Sequence, residues 1–296
     1  MAPFARGARF GEPRLSPRRR GARTRLMGTV LAGAIGLLVV IAALMLLVRA
    51  VEPRFAFFPS TGEDVTPREL GARFEAITIP TADGERLHAW HLPANPAGAH
   101  IIYFHGNGGN LSVWAPILVE LPRHGYSVLA VDYRGYGRST GRPSERGLYR
   151  DVDAIIDAAW RERDRRVPIV YWGRSLGTAM AAYAASVKPP DRVILESGFP
   201  DARTLVRSSP LLAVMALFST YRFPTSTLMR GVRAPSLVMH GDRDSVIPFE
   251  LGRALFDSLD GSKRFVTIRG GDHNDVAPPD ETAYWSAVNE FIVGGR

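Results

Sequence analysis

The sequence predicts an α/β domain built on about eight mostly parallel strands, carried behind one membrane-spanning helix. Three observations predict it. Short apolar, β-branched runs alternate with helical stretches after Pro59; 22 uncharged residues run from 27 to 48; and a G-x-S-x-G pentapeptide stands where a strand gives way to a helix.

The 296 residues are 46% hydrophobic and 22% charged, a globular composition with ample material for a core. The chain has no Cys, which removes thiolate catalysis, Cys-ligated zinc and disulfides together and leaves the redox compartment open. Its formal charge of +8 is confined to the first 54 residues, where ten Arg face Glu12 and Glu52, while the other 242 residues hold 27 basic and 27 acidic groups. A neutral body offers no basic face for phosphate neutralisation, so nucleic acid is not an expected partner.

The apolar segment 27–48 spans about 33 Å as a helix, enough for one crossing of a ~30 Å hydrocarbon core. Arg6, Arg9, Arg14, Arg18, Arg19, Arg20, Arg23 and Arg25 precede it and only Arg49 and Arg54 follow closely. That bias places the N-terminus in the cytoplasm and the body on the extracytoplasmic side of the cell membrane. The rival reading is a cleaved signal with Val48-Arg49-Ala50 as its site, but a secretory apolar region is usually ~7 to 15 residues. Gly28, Ala32 and Gly36 form a small-residue face through which two anchors would pair weakly, although such residues are common in membrane helices generally. The expected divisions are an Arg-rich tail (1–26), the transmembrane helix (27–48), a juxtamembrane linker (49–74) and the α/β domain (75–296).

Within the domain, 75–79 and 87–92 flank the turn-like Ala82-Asp83-Gly84 and predict an antiparallel pair. The runs 101–104, 128–131, 169–172, 193–195, 237–239 and 265–268 are continuously apolar, as strands buried on both faces are. Leu148, Val152, Ile155, Ile156 and Ala159 mark one helix face, and Leu251, Leu255, Phe256 and Leu259 another. Tyr284, Trp285, Val288, Phe291 and Ile292 predict a closing helix. The stretch 199–231, with Leu211, Leu212, Val214, Met215, Leu217 and Phe218, is too long and apolar for a plain connection and predicts a small helical cap.

The pentapeptide is Gly173-Arg174-Ser175-Leu176-Gly177, between the strand 169–172 and a helix-forming stretch from Thr178. Ser175 therefore falls on a tight strand-to-helix turn, with a helix N-terminus beneath it that favours developing negative charge. A serine hydroxyl needs a base, and this arrangement orders its partners as Ser, acid, His along the chain. Of seven His, only His273, in the loop after the last strand, follows an acid so placed. The acid comes from the loop after 237–239, where Asp242 and Asp244 compete. Asp244 is favoured, because Asp242 follows the strand end closely enough to hydrogen-bond its own turn. Oxyanion donors are expected from the backbone N–H groups of Asn107, in the Gly-rich run after the third strand, and of Leu176. That run lacks the ending and spacing of a phosphate loop. His88 and His91, three apart on a strand, point to opposite faces and are expected to be structural rather than metal ligands.

The order H-G-N-G-G-N, D-Y-R-G-Y-G-R-S-T-G from Asp132, G-R-S-L-G, E-S-G-F from Glu196, H-G-D-R-D-S-V-I-P and G-D-H-N-D resembles the membrane-anchored α/β-hydrolase-domain proteins. Their eukaryotic members include protein depalmitoylases, and serine aminopeptidase-like hydrolases are more distant relatives. The resemblance covers about 55–296 and implies an α/β-hydrolase fold. It also implies a triad of Ser175, Asp244 and His273, oxyanion donors at Asn107 and Leu176, and structural roles for Asp132, Arg134 and Gly135. The expected function is a membrane-anchored serine hydrolase cleaving an ester or thioester of a small-molecule or lipid-like acyl substrate, with no cofactor or metal. An aminopeptidase-like amide hydrolase is the near alternative, and a catalytically silent anchored binding protein is the alternative of another class.

Overall fold

The computed structural model describes residues 17–208, 220–275 and 277–294. The chain divides into two compact units, Met1–Ala50 and Val51–Arg296. Helix α1 occupies Pro17–Ala56, longer at both ends than the apolar segment that defines it. Its portion Arg25–Arg54 is long and apolar enough to cross a membrane, and its most apolar stretch, mean hydropathy 2.9, is entirely unburied.

The second unit is built on an eight-stranded sheet. Its strands are β1 (Glu75–Pro80), β2 (Arg86–Leu92), β3 (Ala99–Phe104), β4 (Tyr126–Val131), β5 (Ile169–Arg174), β6 (Arg192–Glu196), β7 (Ser236–Gly241) and β8 (Lys263–Ile268). Their spatial order is β8-β7-β6-β5-β3-β4-β2-β1. Strands β3 to β8 pair in parallel, and β1 and β2 are antiparallel, with Glu75 opposite His91 and Ile79 opposite Leu87. The expected strands thus stand where the apolar runs place them.

Period-two alternation sorts the strand residues between two cores. Ile102 and Phe104 of β3 join one cluster with Leu148, Val152, Met180 and Leu255 from helices α3 (Glu145–Glu162), α4 (Gly177–Val187) and α7 (Phe249–Ser258). Ile101 and Tyr103 join the other, with Leu118, Leu121, Trp285 and Val288 from helices α2 (Leu111–Arg123) and α8 (Glu281–Val293). Both sheet faces are covered, which is why the central strands lack polar alternation. Helix starts follow local chemistry: Asn110, Ser144 and Asp280 each accept a hydrogen bond from a backbone N–H in the first turn of α2, α3 and α8.

The expected cap at 199–231 falls partly on 209–219, outside the described residues, and so do its apolar positions Leu211, Leu212, Val214, Met215, Leu217 and Phe218. Its described part holds the short helices α5 (Ala202–Arg207) and α6 (Thr225–Leu228). The stretch expected as a linker, 49–74, carries specific structure. Phe58–Pro59 pairs in parallel with Gly108–Gly109, and Glu63 accepts hydrogen bonds from His88 Nε2 and Trp90 Nε1, each at 2.8 Å. His88 is thereby a buried structural residue.

Candidate active site

The site forms where β5 meets α4, at the carboxyl ends of the parallel strands. Ser175 has φ +55°, in the left-handed region that a side chain enters only at a cost of roughly 1–2 kcal/mol. The flanking glycines solve a different problem, close approach. A Cβ on Gly173 would lie 2.1 Å from the Gly177 carbonyl oxygen, and one on Gly177 would lie 1.9 Å from the Phe104 carbonyl oxygen. The two glycines let α4 press against β3 and β5, and the turn projects Ser175 from their junction.

His273 lies in the loop between β8 and α8. Its Nε2 is 3.0 Å from Ser175 Oγ and its Nδ1 is 2.8 Å from Asp244 Oδ2. The ring therefore donates from Nδ1 to the carboxylate and accepts at Nε2 from the serine hydroxyl. Asp244 has a side chain wholly removed from solvent. Its Oδ1 accepts from the backbone N–H groups of Val246 (3.0 Å) and Ile247 (2.7 Å). Burial alone would push the Asp244 carboxyl up, but hydrogen bonds from His240, His273 and the Ile247 amide hold it well below the usual carboxylate range. Asp242 does not bond its own turn as expected; its Oδ1 accepts from Gly270 N–H at 2.6 Å. Strands β7 and β8 are neighbours, so the loops leaving them meet, and the partner across the sheet displaces the local one.

Two residues beyond those singled out from the sequence complete the surroundings. His240 is fully buried at the end of β7. Its Nε2 donates to Ile247 O at 2.9 Å and stands 3.4 Å from Asp244 Oδ2. Arg174, beside Ser175 in sequence, lines the same cavity and reaches across to the His273 loop. Its Nη2 donates to the carbonyls of His273 (3.1 Å) and Asp275 (2.7 Å), and its Nη1 is 3.9 Å from the buried Glu196 carboxylate. Arg174 thus ties the His273 loop to β5. The available signal for both was position: one residue from Ser175, and four from Asp244.

Asn107 and Leu176 flank Ser175 from two sides. Leu176 is the N-cap position of α4 and offers no side-chain cap, leaving the helix N-terminus to the site. Asn107 lies in the loop after β3, where a Cβ on its neighbour Gly106 would sit 3.4 Å from Ser175 Cβ. A cavity of about 310 Å³ opens over Ser175 and His273, walled by Val113, Trp114 and Ile117 on one side and by Asn107, Gly108 and Gly109 on the other. The walls are chiefly apolar, with Arg174, Asn274 and Asp275 in the lining beside Ser175 and His273. Among the described residues no three metal-ligating side chains converge. Asp132 and Arg134 are buried supports of the loop after β4. Asp132 accepts from Leu111 N–H at 2.9 Å, and Arg134 joins Asp83 to Asp151. Gly135 takes φ +78° there.

The family profile described as the alpha/beta hydrolase fold matches residues 99–201. The uncharacterized protein Rv2307c of Mycobacterium tuberculosis is 33% identical over 245 residues, covering 81% of this chain and 86% of that protein. The uncharacterized membrane protein YNL320W of Saccharomyces cerevisiae is 31% identical over 236 residues, covering 77% and 82%. Mouse lysophosphatidylserine lipase ABHD12 is 34% identical over 190 residues, which are 56% of this chain and 47% of the lipase. Among solved structures, the Pyrococcus furiosus esterase Pf2001 superposes with a TM-score of 0.65 at 19% identity, covering 80% of this chain and 97% of the esterase. Fold and relatives define a hydrolase class with lipase and esterase neighbours. This chain belongs to the α/β-hydrolase family.

Proposed function

We propose that this chain is a membrane-anchored serine hydrolase cleaving an ester or thioester through an acyl-enzyme. The observation that carries the reading is the unbroken relay from Ser175 Oγ to His273 Nε2 (3.0 Å) and from His273 Nδ1 to Asp244 Oδ2 (2.8 Å). As Ser175 Oγ attacks the substrate carbonyl carbon, His273 Nε2 takes its proton, and the ionised Asp244 stabilises the imidazolium. The carbonyl oxygen, now an oxyanion, accepts from the N–H groups of Asn107 and Leu176. Collapse of the intermediate expels the alkoxide or thiolate, which takes the proton from His273, and Ser175 is left acylated. Water attacks the acyl-serine after losing a proton to His273, and the second collapse returns that proton to Ser175.

The apolar wall of Val113, Trp114 and Ile117 suits an acyl chain, and a lipase among the relatives favours a lipid-like acyl substrate. Turnover is measured on p-nitrophenyl esters of increasing chain length, a matching thioester and an aminoacyl anilide. Turnover of the esters or thioester above the anilide supports the reading, and preference for the anilide would replace it with the peptidase.

In this reading segment 27–48 is the anchor, with the N-terminus cytoplasmic and the catalytic unit outside the cytoplasm. The Arg bias and a membrane-protein relative support it. An active C-terminal alkaline phosphatase fusion that resists a carbonate wash is the expected result, and an inactive fusion would reverse the orientation.

A further inference from the structure

The loop 106–110 carries Gly106, Gly108 and Gly109, the last at φ +77°, and so has little stiffness of its own. A backbone donor for an oxyanion needs its position fixed closely, since a misplacement of about 1 Å can cost 10²-fold in rate. Much of the loop's fixation comes from the last residue of α1 and the residues that directly follow it. Phe58 N–H donates to Asn107 O (3.0 Å), Asn107 Nδ2 donates to Ala56 O (3.2 Å), and Ser60 N–H donates to Gly109 O (2.9 Å). Asn107 O also accepts from Tyr136 OH at 3.1 Å.

The same segment is held from its other side by residues 220–223, within the stretch expected as a cap. Phe57 is buried, edge-on to Tyr221 (ring centroids 5.4 Å apart) and Phe223 (6.1 Å). The buried Glu52 carboxylate accepts from Thr220 N–H with both oxygens at 3.0 Å, from Thr220 Oγ1, and from Tyr221 N–H at 3.3 Å. Three segments far apart in sequence, 52–60, 107–109 and 220–223, thus form one hydrogen-bonded and aromatic-packed assembly beside the serine.

We propose that residues 52–60 are a strap that positions the oxyanion loop, with Glu52 and Phe57 as its positioning residues. The inference rests on the acyl-transfer reading above. Neither side chain touches the reacting atoms; they act through Ala56 and Phe58 on the Asn107 peptide. Loosening the strap therefore weakens binding of the tetrahedral state more than binding of the substrate.

The test uses the full chain in detergent, with Glu52→Gln and Phe57→Ala beside wild type. An ester substrate gives kcat and KM, an alkylboronic acid that forms a tetrahedral adduct on serine gives Ki, and a fluorophosphonate reports the nucleophile. The expected result is a fall in kcat of about tenfold or more, a parallel weakening of boronate affinity and a KM changed less than threefold. Phe57→Leu, which refills the space between Tyr221 and Phe223, restores most of the loss. Should Phe57→Ala fail to fold, Phe58→Pro, which deletes the N–H donated to Asn107 from an exposed position, carries the same expectation. Wild-type kcat and boronate affinity in the variants would overturn the strap while leaving the nucleophile standing, and so would a loss confined to KM and melting temperature. A wild-type protein that neither labels nor binds boronate would overturn the acyl-transfer reading, and the strap's role with it.

Discussion

Asp244 Oδ2 is shared by two imidazoles, His273 Nδ1 at 2.8 Å and His240 Nε2 at 3.4 Å, while Oδ1 is held by two backbone amides. The carboxylate is therefore aimed from four directions, and only the bond to His273 leads onward to Ser175. The neighbouring Asp242 braces Gly270 instead. Asp244→Asn keeps the shape but favours the wrong His273 tautomer, a change known to cost ~10⁴ in kcat in a serine protease. Asp242→Asn weakens one hydrogen bond and lowers stability by about 1 kcal/mol with kcat within a few-fold. Comparing kcat and melting temperature in both variants checks this, and a large rate loss confined to Asp242→Asn would reverse the assignment.

Ser175 holds φ +55°, so its substitutions separate strain from chemistry. Ser175→Ala and Ser175→Gly both abolish turnover, but Gly adopts the left-handed conformation freely. Chemical denaturation finds Ser175→Gly more stable than Ser175→Ala by about 1 kcal/mol. Equal stabilities would mean that the turn relaxes when the hydroxyl is lost.

The buried pair Asp132 and His105, 3.7 Å apart, contributes two opposed pH dependences to stability. Burial pushes Asp132 up to about 7 and His105 down to about 4. Between pH ~4 and ~6.5 the folded chain keeps an Asp132 proton that the unfolded chain has released, so this group makes stability fall as pH rises. Over the same window the unfolded chain holds a His105 proton that the folded chain lacks, so that group makes stability rise. The opposed slopes leave the pair's net contribution nearly flat. Asp132→Asn, which keeps an acceptor for Leu111, unmasks the rise, and His105→Gln unmasks the fall. Denaturation at several pH values checks the signs; three parallel curves would contradict them.

Arg174 is the counter-charge of buried Glu196, which also accepts from Trp172 Nε1 (3.0 Å) and Tyr284 OH (3.1 Å). Arg174→Met strands that carboxylate and frees two carbonyls of the His273 loop, at a cost of about 3–5 kcal/mol. Adding Glu196→Gln removes the stranded charge and keeps an acceptor for Trp172 and Tyr284. The double variant is therefore more stable than Arg174→Met alone while kcat stays low. A double variant no more stable than the single would show that the two side chains act independently.

The strands were legible because burial on both faces writes continuous apolar runs such as 101–104 and 169–172. The meeting of Ser175, His273 and Asp244 was legible because chain order and glycine spacing left few residues to choose among. What local pattern cannot carry is a partner distant in sequence. Glu52 and Thr220 are 168 positions apart, and nothing in the periodicity of 49–74 shows that it packs against two other loops. The partner of Asp242 is hidden from local pattern for the same reason, since Gly270 lies on the next strand's loop. Arg174 fills an unspecified position of the pentapeptide and His240 closes a strand, so neither advertises work that lies in what its side chain reaches.

The central claim is that Ser175 is the residue acylated during turnover, and one measurement meets it directly. The full chain is treated with a fluorophosphonate and digested, and the peptide bearing the adduct is sequenced by mass spectrometry. The account predicts one adduct, on Ser175, formed as activity is lost and absent from Ser175→Ala and Ser175→Gly. An adduct on another serine, or undiminished labelling of the Ser175 variants, would contradict it.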